Sequence, residues 1–116
     1  MKRSFNKYGA KKTPCANGHT HDSAREAKRC NELHLLQAAH QIGFLRIQPR
    51  FEFTIAGKPL KMKNGHTARF TPDFAYVELP SLKEVAEDSK GFVVRDYPLR
   101  AALFRALYPM TELREV

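Results

Sequence analysis

Apolar positions recur with the period of a helix from position 23 to about position 41. Ala27, Cys30 and Leu33 share one arc of the helical wheel, Arg25, Lys28, Arg29 and Glu32 share another, and Glu26 lies beside the apolar arc. Ser23 and Glu26 stand in the S-x-x-E arrangement of a capping box, and the pattern closes before Gly43. The rhythm then changes to period two. Positions 44–48, then Phe51, Phe53 and Ile55, alternate with polar neighbours around Pro49, which predicts one bent strand or two short ones. The stretch 57–65 is rich in turn residues, and its Asn64-Gly65 pair predicts that the chain folds back there. Strand rhythm resumes over 68–78, with Pro72 at a strand start or bulge, and returns in a short strand over 84–90 that ends at Gly91. Pro98 suits the start of a final helix, whose apolar face is Leu99, Ala102, Leu103, Ala106 and Leu107 and which Pro109 stops.

Helix, several strands, then helix predicts an α+β fold in which a mixed sheet is covered by helices. A chain of 116 residues suits a single core. Positions 1–12 carry basic residues, no acid and little apolar periodicity, so a flexible basic arm is expected ahead of one domain at 13–116. Twenty Lys and Arg against twelve Asp and Glu give a formal charge of +8. Such an excess points to a polyanionic partner, with nucleic acid ahead of a membrane surface. No apolar run approaches the roughly 20 residues of a spanning helix, so a soluble, cytoplasmic protein without a membrane partner is expected.

The candidate chemistry lies near the ends of the last two predicted strands. Pro72-Asp73 opens one and Asp88-Ser89-Lys90 ends the next. Residues two apart on a strand share a face, so Asp88 and Lys90 project together, and a neighbouring strand starting at Asp73 presents its carboxylate nearby. Oxygen ligands of this kind suit Mg²⁺ or Mn²⁺, which take one or two carboxylates together with water and substrate phosphate. Lys90 beside the metal can orient the attacking water or offset charge on the phosphate. Glu26 can supply a third carboxylate from the helix. Singly, each feature has a plainer account: a capping box for Glu26, turn chemistry for Asp73, and a surface ion pair for Asp88 and Lys90.

Taken together the motifs are more specific. The chain carries Lys7-Tyr8-Gly9-Ala10-Lys11-Lys12, Asp22-Ser23-Ala24-Arg25-Glu26-Ala27, Gln48-Pro49, Pro72-Asp73-Phe74 and Glu87-Asp88-Ser89-Lys90-Gly91. In order and spacing these resemble the PD-(D/E)XK nuclease superfamily, and within it a family of small phage and prophage proteins. Cys30, where an aromatic is expected, and Ser89, where an aliphatic is common, depart from that pattern. The resemblance implies a restriction-endonuclease-like core of the order α-β-β-β-α-β and a metal-dependent endodeoxyribonuclease acting on branched DNA such as Holliday junctions. It implies Asp73, Asp88 and Glu26 as metal ligands and Lys90 as the catalytic lysine, and it gives Gln48 no defined role.

For DNA, the basic candidates are Lys7, Lys11 and Lys12 in the arm, Lys61 and Lys63 beside Lys58 at the hairpin, and Arg95 and Arg100 with Arg105 at the last helix. No recognition helix or finger motif is present, so shape recognition is expected over base readout. A symmetric substrate favours a homodimer. The competing class is a non-catalytic DNA-binding module with the same fold, which has no need of carboxylates where phosphates approach. Cys15, His19, His21 and Cys30 have zinc-ligand chemistry but not the spacing of paired knuckles, so ordinary thiols are expected. His34, His40 and His66 are expected to be solvated or hydrogen-bonded.

Overall fold

The computed structural model describes residues 12–16, 18–21, 23–89 and 95–116. Among these residues twelve elements follow one another. Two short strands, β1 (Thr13–Pro14) and β2 (Thr20–His21), precede helix α1 (Ala24–Ala38). Strands β3 (Ile42–Ile47), β4 (Phe51–Glu52), β5 (Thr54–Ile55), β6 (Lys58–Pro59), β7 (Arg69–Phe70), β8 (Phe74–Glu78) and β9 (Lys83–Asp88) come next. Helix α2 (Tyr97–Leu107) and strand β10 (Thr111–Glu115) complete the chain.

The central sheet has the order β10-β9-β8-β3, antiparallel except for the parallel pair β9 and β10. The fold is therefore α+β with a mixed sheet. With its satellite hairpins set aside, the element order is α1-β3-β8-β9-α2-β10, the α-β-β-β-α-β order expected above. Alternation along β8 and β9 divides the core in two. Phe74, Tyr76 and Val85 pack with Ala27, Cys30 and Leu33 of α1, whereas Ala75 and Ala86 face Phe104 of α2 and the β4–β7 pair. Phe51, Phe70 and Tyr108 surround Phe104 with ring centroids 4.9 to 5.4 Å apart. Each fully buried ring of this kind contributes about 2 to 3 kcal/mol through removal from water.

Several boundaries differ from the periodicity, each for a local reason. Helix α1 stops at Ala38 because His40 takes a left-handed φ of 60° and the amide of Gln41 turns back to the Leu36 carbonyl. Phe44, expected on an alternating strand, has φ 56° within a register shift between Gly43 and Arg46, and its ring is 78% exposed. The 68–78 stretch divides at Thr71-Pro72-Asp73, so that β7 pairs with β4 while β8 joins the central sheet. The Asn64-Gly65 turn forms as expected, with Gly65 at φ 88° and the Asn64 side chain accepting from the His66 amide. Helix α2 starts one residue before Pro98. No helix among the described residues is long and apolar enough to cross a membrane.

Candidate active site

Glu26 enters the site from the first turn of α1. Ser23 caps the helix by accepting the Glu26 amide at 3.1 Å, but the Glu26 carboxylate does not complete the capping box. It turns inward and takes a hydrogen bond from Nδ1 of His21 at 2.8 Å. It also accepts from Gln48 Nε2 at 3.5 Å. Only 6% of Glu26 remains exposed. This settles the choice between surface cap and inward acid at position 26 for the second.

Asp73 and Asp88 stand at the adjoining ends of β8 and β9, placed by the register that sets Phe74 opposite Glu87. The amide of Asp73 donates to Asp88 Oδ1 at 3.1 Å, and the amide of Ser89 donates to Asp73 Oδ2 at 2.8 Å. The carbonyl of Asp73 in turn accepts from the Gln48 amide at 2.9 Å. Gln48, to which the sequence assigned no role, thus bridges Glu26 of α1 and Asp73 at the start of β8. It does so from a left-handed φ of 48° at the end of β3.

The three acids act on one another electrostatically. Burial, then the charges of Asp88 and Glu26, push the Asp73 carboxyl up to about 8. Burial likewise lifts Asp88 to about 6, against the amide that donates to it and with the charge of Glu26 adding to the rise. Carboxyls held this far above their ordinary range are poised to exchange a proton for a cation. Their donor set is all oxygen, which fits a hard divalent ion.

One residue before Asp88 the chemistry reverses. Glu87 is 1% exposed and points to the α1 side of the sheet, where Arg29 Nε and Nη2 donate to it at 2.6 and 2.9 Å and Tyr76 Oη at 2.7 Å. Burial pulls its carboxyl upward, but these three donors outweigh it and hold the group below the usual range. The sequence reading passed over this pair. Its available signal was an acid at a position whose strand neighbours alternate into the core.

An open cleft of about 340 Å³ runs past the site, with Glu26, Asp73 and Ser89 in its wall and Arg25, Lys28 and Arg29 of α1 beside them. Asp88 is not part of that wall and joins the group through Asp73. Of the other expected residues, Lys90, Lys7 and Lys11 lie outside the described residues, as does the arm over 1–11. Lys12, Lys63 and Arg95 are exposed, and Lys61 is exposed and donates to Thr67 Oγ1 at 3.2 Å. Arg100 is committed within the fold, to Asp96 at 2.8 Å and to the Arg69 carbonyl. None of Lys12, Lys61, Lys63, Arg95 and Arg100 lines the cleft; among the described residues its basic wall is Arg25, Lys28 and Arg29 of α1.

The two cysteines form no disulfide. Cys15, His21 and Cys30 are buried with their ligand atoms within 4.8 Å of one another, and His19, Cys30 and His34 form a second group on the same criterion.

No curated protein matches the chain, and no solved structure matches it. A family model described as a protein of unknown function, DUF1064, matches residues 5–116. Because that match spans nearly the whole sequence, the chain belongs to the DUF1064 family.

Proposed function

We propose that this chain is a metal-dependent endodeoxyribonuclease that hydrolyses DNA phosphodiesters, with branched DNA such as four-way junctions as its substrate class. The observation that carries the reading is the meeting of Glu26, Asp73 and Asp88, from a helix and two adjacent strands, where burial makes their shared negative charge unfavourable. A binding module gains nothing from such a cluster beside a cleft that phosphates must enter. Glu26, Asp73 and Asp88 would hold Mg²⁺ or Mn²⁺, which supplies Lewis-acid stabilisation of the phosphate and a reactive water.

The chain's own residues divide the remaining work. Arg25 and Lys28 line the cleft and take the flanking phosphates without reading bases. Gln48 fixes Glu26 against the end of β8. Lys90, two residues after Asp88, is assigned the amine that orients the water and offsets charge on the phosphate. Preference for branched DNA and cutting by a homodimer follow from the resemblance described above.

The test is a panel of four-way junction, linear duplex and single-stranded DNA, with Mg²⁺ or Mn²⁺ supplied and then chelated. Cutting is expected only with metal and best on the junction. Asp88→Ala and Lys90→Ala are expected to lower the rate by about 100-fold or more while binding persists. DNA binding with no metal-dependent cutting would instead identify a non-catalytic module, and unchanged rates in both variants would remove the assigned site.

A further inference from the structure

We propose a second metal site, for zinc, built from Cys15, Cys30 and His21 with a fourth ligand from His19 or His34, and linked to the acid cluster through Glu26. It stands independently of the nuclease reading.

The argument begins with His21. The ring is 1% exposed, its Nδ1 is occupied by Glu26, and its Nε2 is buried with no hydrogen-bond partner. A carboxylate can only accept, so Nδ1 carries the proton and Nε2 presents a lone pair. A buried nitrogen without a geometric hydrogen bond, on a ring that the Cys15 side chain also acts upon, suits a metal ion that takes the place of the thiol proton. The residues grouped with it are two buried cysteines that form no disulfide. Their Sγ atoms are 3.5 Å apart, and Nδ1 of His34 donates to the Cys30 carbonyl at 2.9 Å, which leaves its Nε2 as the ligand atom. With metal–sulfur and metal–nitrogen bonds of about 2.3 and 2.0 Å, a tetrahedral zinc site has ligand edges of roughly 3.3 to 3.8 Å, and the sulfur separation falls in that range.

Ligand type selects the ion. Thiolate and imidazole favour zinc over the hard cations suited to the carboxylate site. Four ligands from the protein, three of them buried, describe a closed structural site with no open position for substrate. Its outer support is already in place, because a carboxylate on the far nitrogen of a ligating histidine fixes both tautomer and ring orientation.

The local fold gives the ion a purpose. Strands β1 and β2 pair over only two residues each, too little to hold a hairpin alone. Cys15 and His21 come from this hairpin, Cys30 and His34 from successive turns of α1, so a shared ion fastens one to the other. Binding displaces the thiol protons, and affinity therefore rises with pH.

The test uses the full chain, stripped of metal and titrated with Co²⁺, then with Zn²⁺. A thiolate-to-cobalt charge-transfer band with tetrahedral ligand-field absorption, abolished by about one equivalent of Zn²⁺, is expected. Cys15→Ser, Cys30→Ser and His21→Ala should each lose the bound metal, and the His19→Ala/His34→Ala double variant should weaken it. Glu26→Gln should reduce zinc affinity by about 10- to 100-fold. The Asp73→Asn/Asp88→Asn double variant should still bind zinc, which separates this site from the carboxylate one. Because Cys30 is fully buried, circular dichroism of each variant checks its fold, and the titration of the unaltered chain decides alone: no thiolate band and no zinc retained on dialysis overturns the proposal. Full affinity in the His19→Ala/His34→Ala variant overturns the four-ligand form.

Discussion

Glu87 and Asp88 are neighbours on one strand whose surroundings drive their acidities in opposite directions. Glu87 faces donors and holds its charge; Asp88 faces acids and is pressed to give its charge up. Their replacements should therefore fail differently. Glu87→Ala leaves a partly buried Arg29 and the Tyr76 hydroxyl without their acceptor and is expected to destabilise the fold by about 3 kcal/mol in urea unfolding. Asp88→Asn is expected to keep or raise metal-free stability, since it removes a carboxylate whose charge is disfavoured by burial and by Glu26, while abolishing metal-dependent cutting. A stability loss in Asp88→Asn as large as that in Glu87→Ala would contradict this division. Position 26 shows what the sequence could reveal at this scale. S-x-x-E fitted both a capping box and an inward acid, and the geometry realises half of the first, through Ser23, and all of the second. Glu87 escaped notice because its partner Arg29 is 58 positions away, and no local pattern reports such a pairing.

At the scale of elements, hydrophobic rhythm was informative wherever an element buries a distinct face. Helix α1 buries one face and strands β8 and β9 bury both, and all three were read correctly in kind. It was uninformative for β10, whose Thr-Glu-Leu-Arg-Glu is an edge strand carrying charges. Arg114 there pairs with Glu78 at 2.7 Å, and charge is what an edge exposes to discourage further pairing. That strand came only with the family resemblance. It was equally silent for β1 and β2, which pair over two residues and have no face of their own to bury. The α1 cap supports a prediction at this level. Ser23→Ala removes the acceptor of the Glu26 amide and should cost about 1 kcal/mol, measured by thermal or urea unfolding. Because Glu26 sits in that first turn, the same variant should also reduce cutting more than its stability loss explains, whereas Ser23→Asp should restore both.

For the molecule as a whole, the acid cluster governs the response to pH. Asp73 has an ordinary value of 3.8 and a folded value of about 8, so between these limits the folded state holds a proton that the unfolded chain releases. Stability of the metal-free protein must then fall as pH rises from about 4 to about 8. Asp73→Asn should flatten that slope, and added Mg²⁺ should raise the melting temperature most at the alkaline end, where the ion no longer competes with a proton. A melting temperature that climbs with pH over this range in the metal-free protein would contradict the burial of the cluster. The charge of +8 sets a second global response: DNA affinity should fall linearly in log–log form with salt, while base sequence changes it little.

Glu26 meets His21 on one side and adds its charge to Asp73 on the other. The Cys/His group and the acid cluster thus share one side chain, and mutations at positions 21 and 73 should be epistatic although no hydrogen bond joins them directly. In a double-mutant cycle on unfolding free energy, His21→Ala and Asp73→Asn should sum to something other than their separate effects. Neither motif is free to drift without the other registering it.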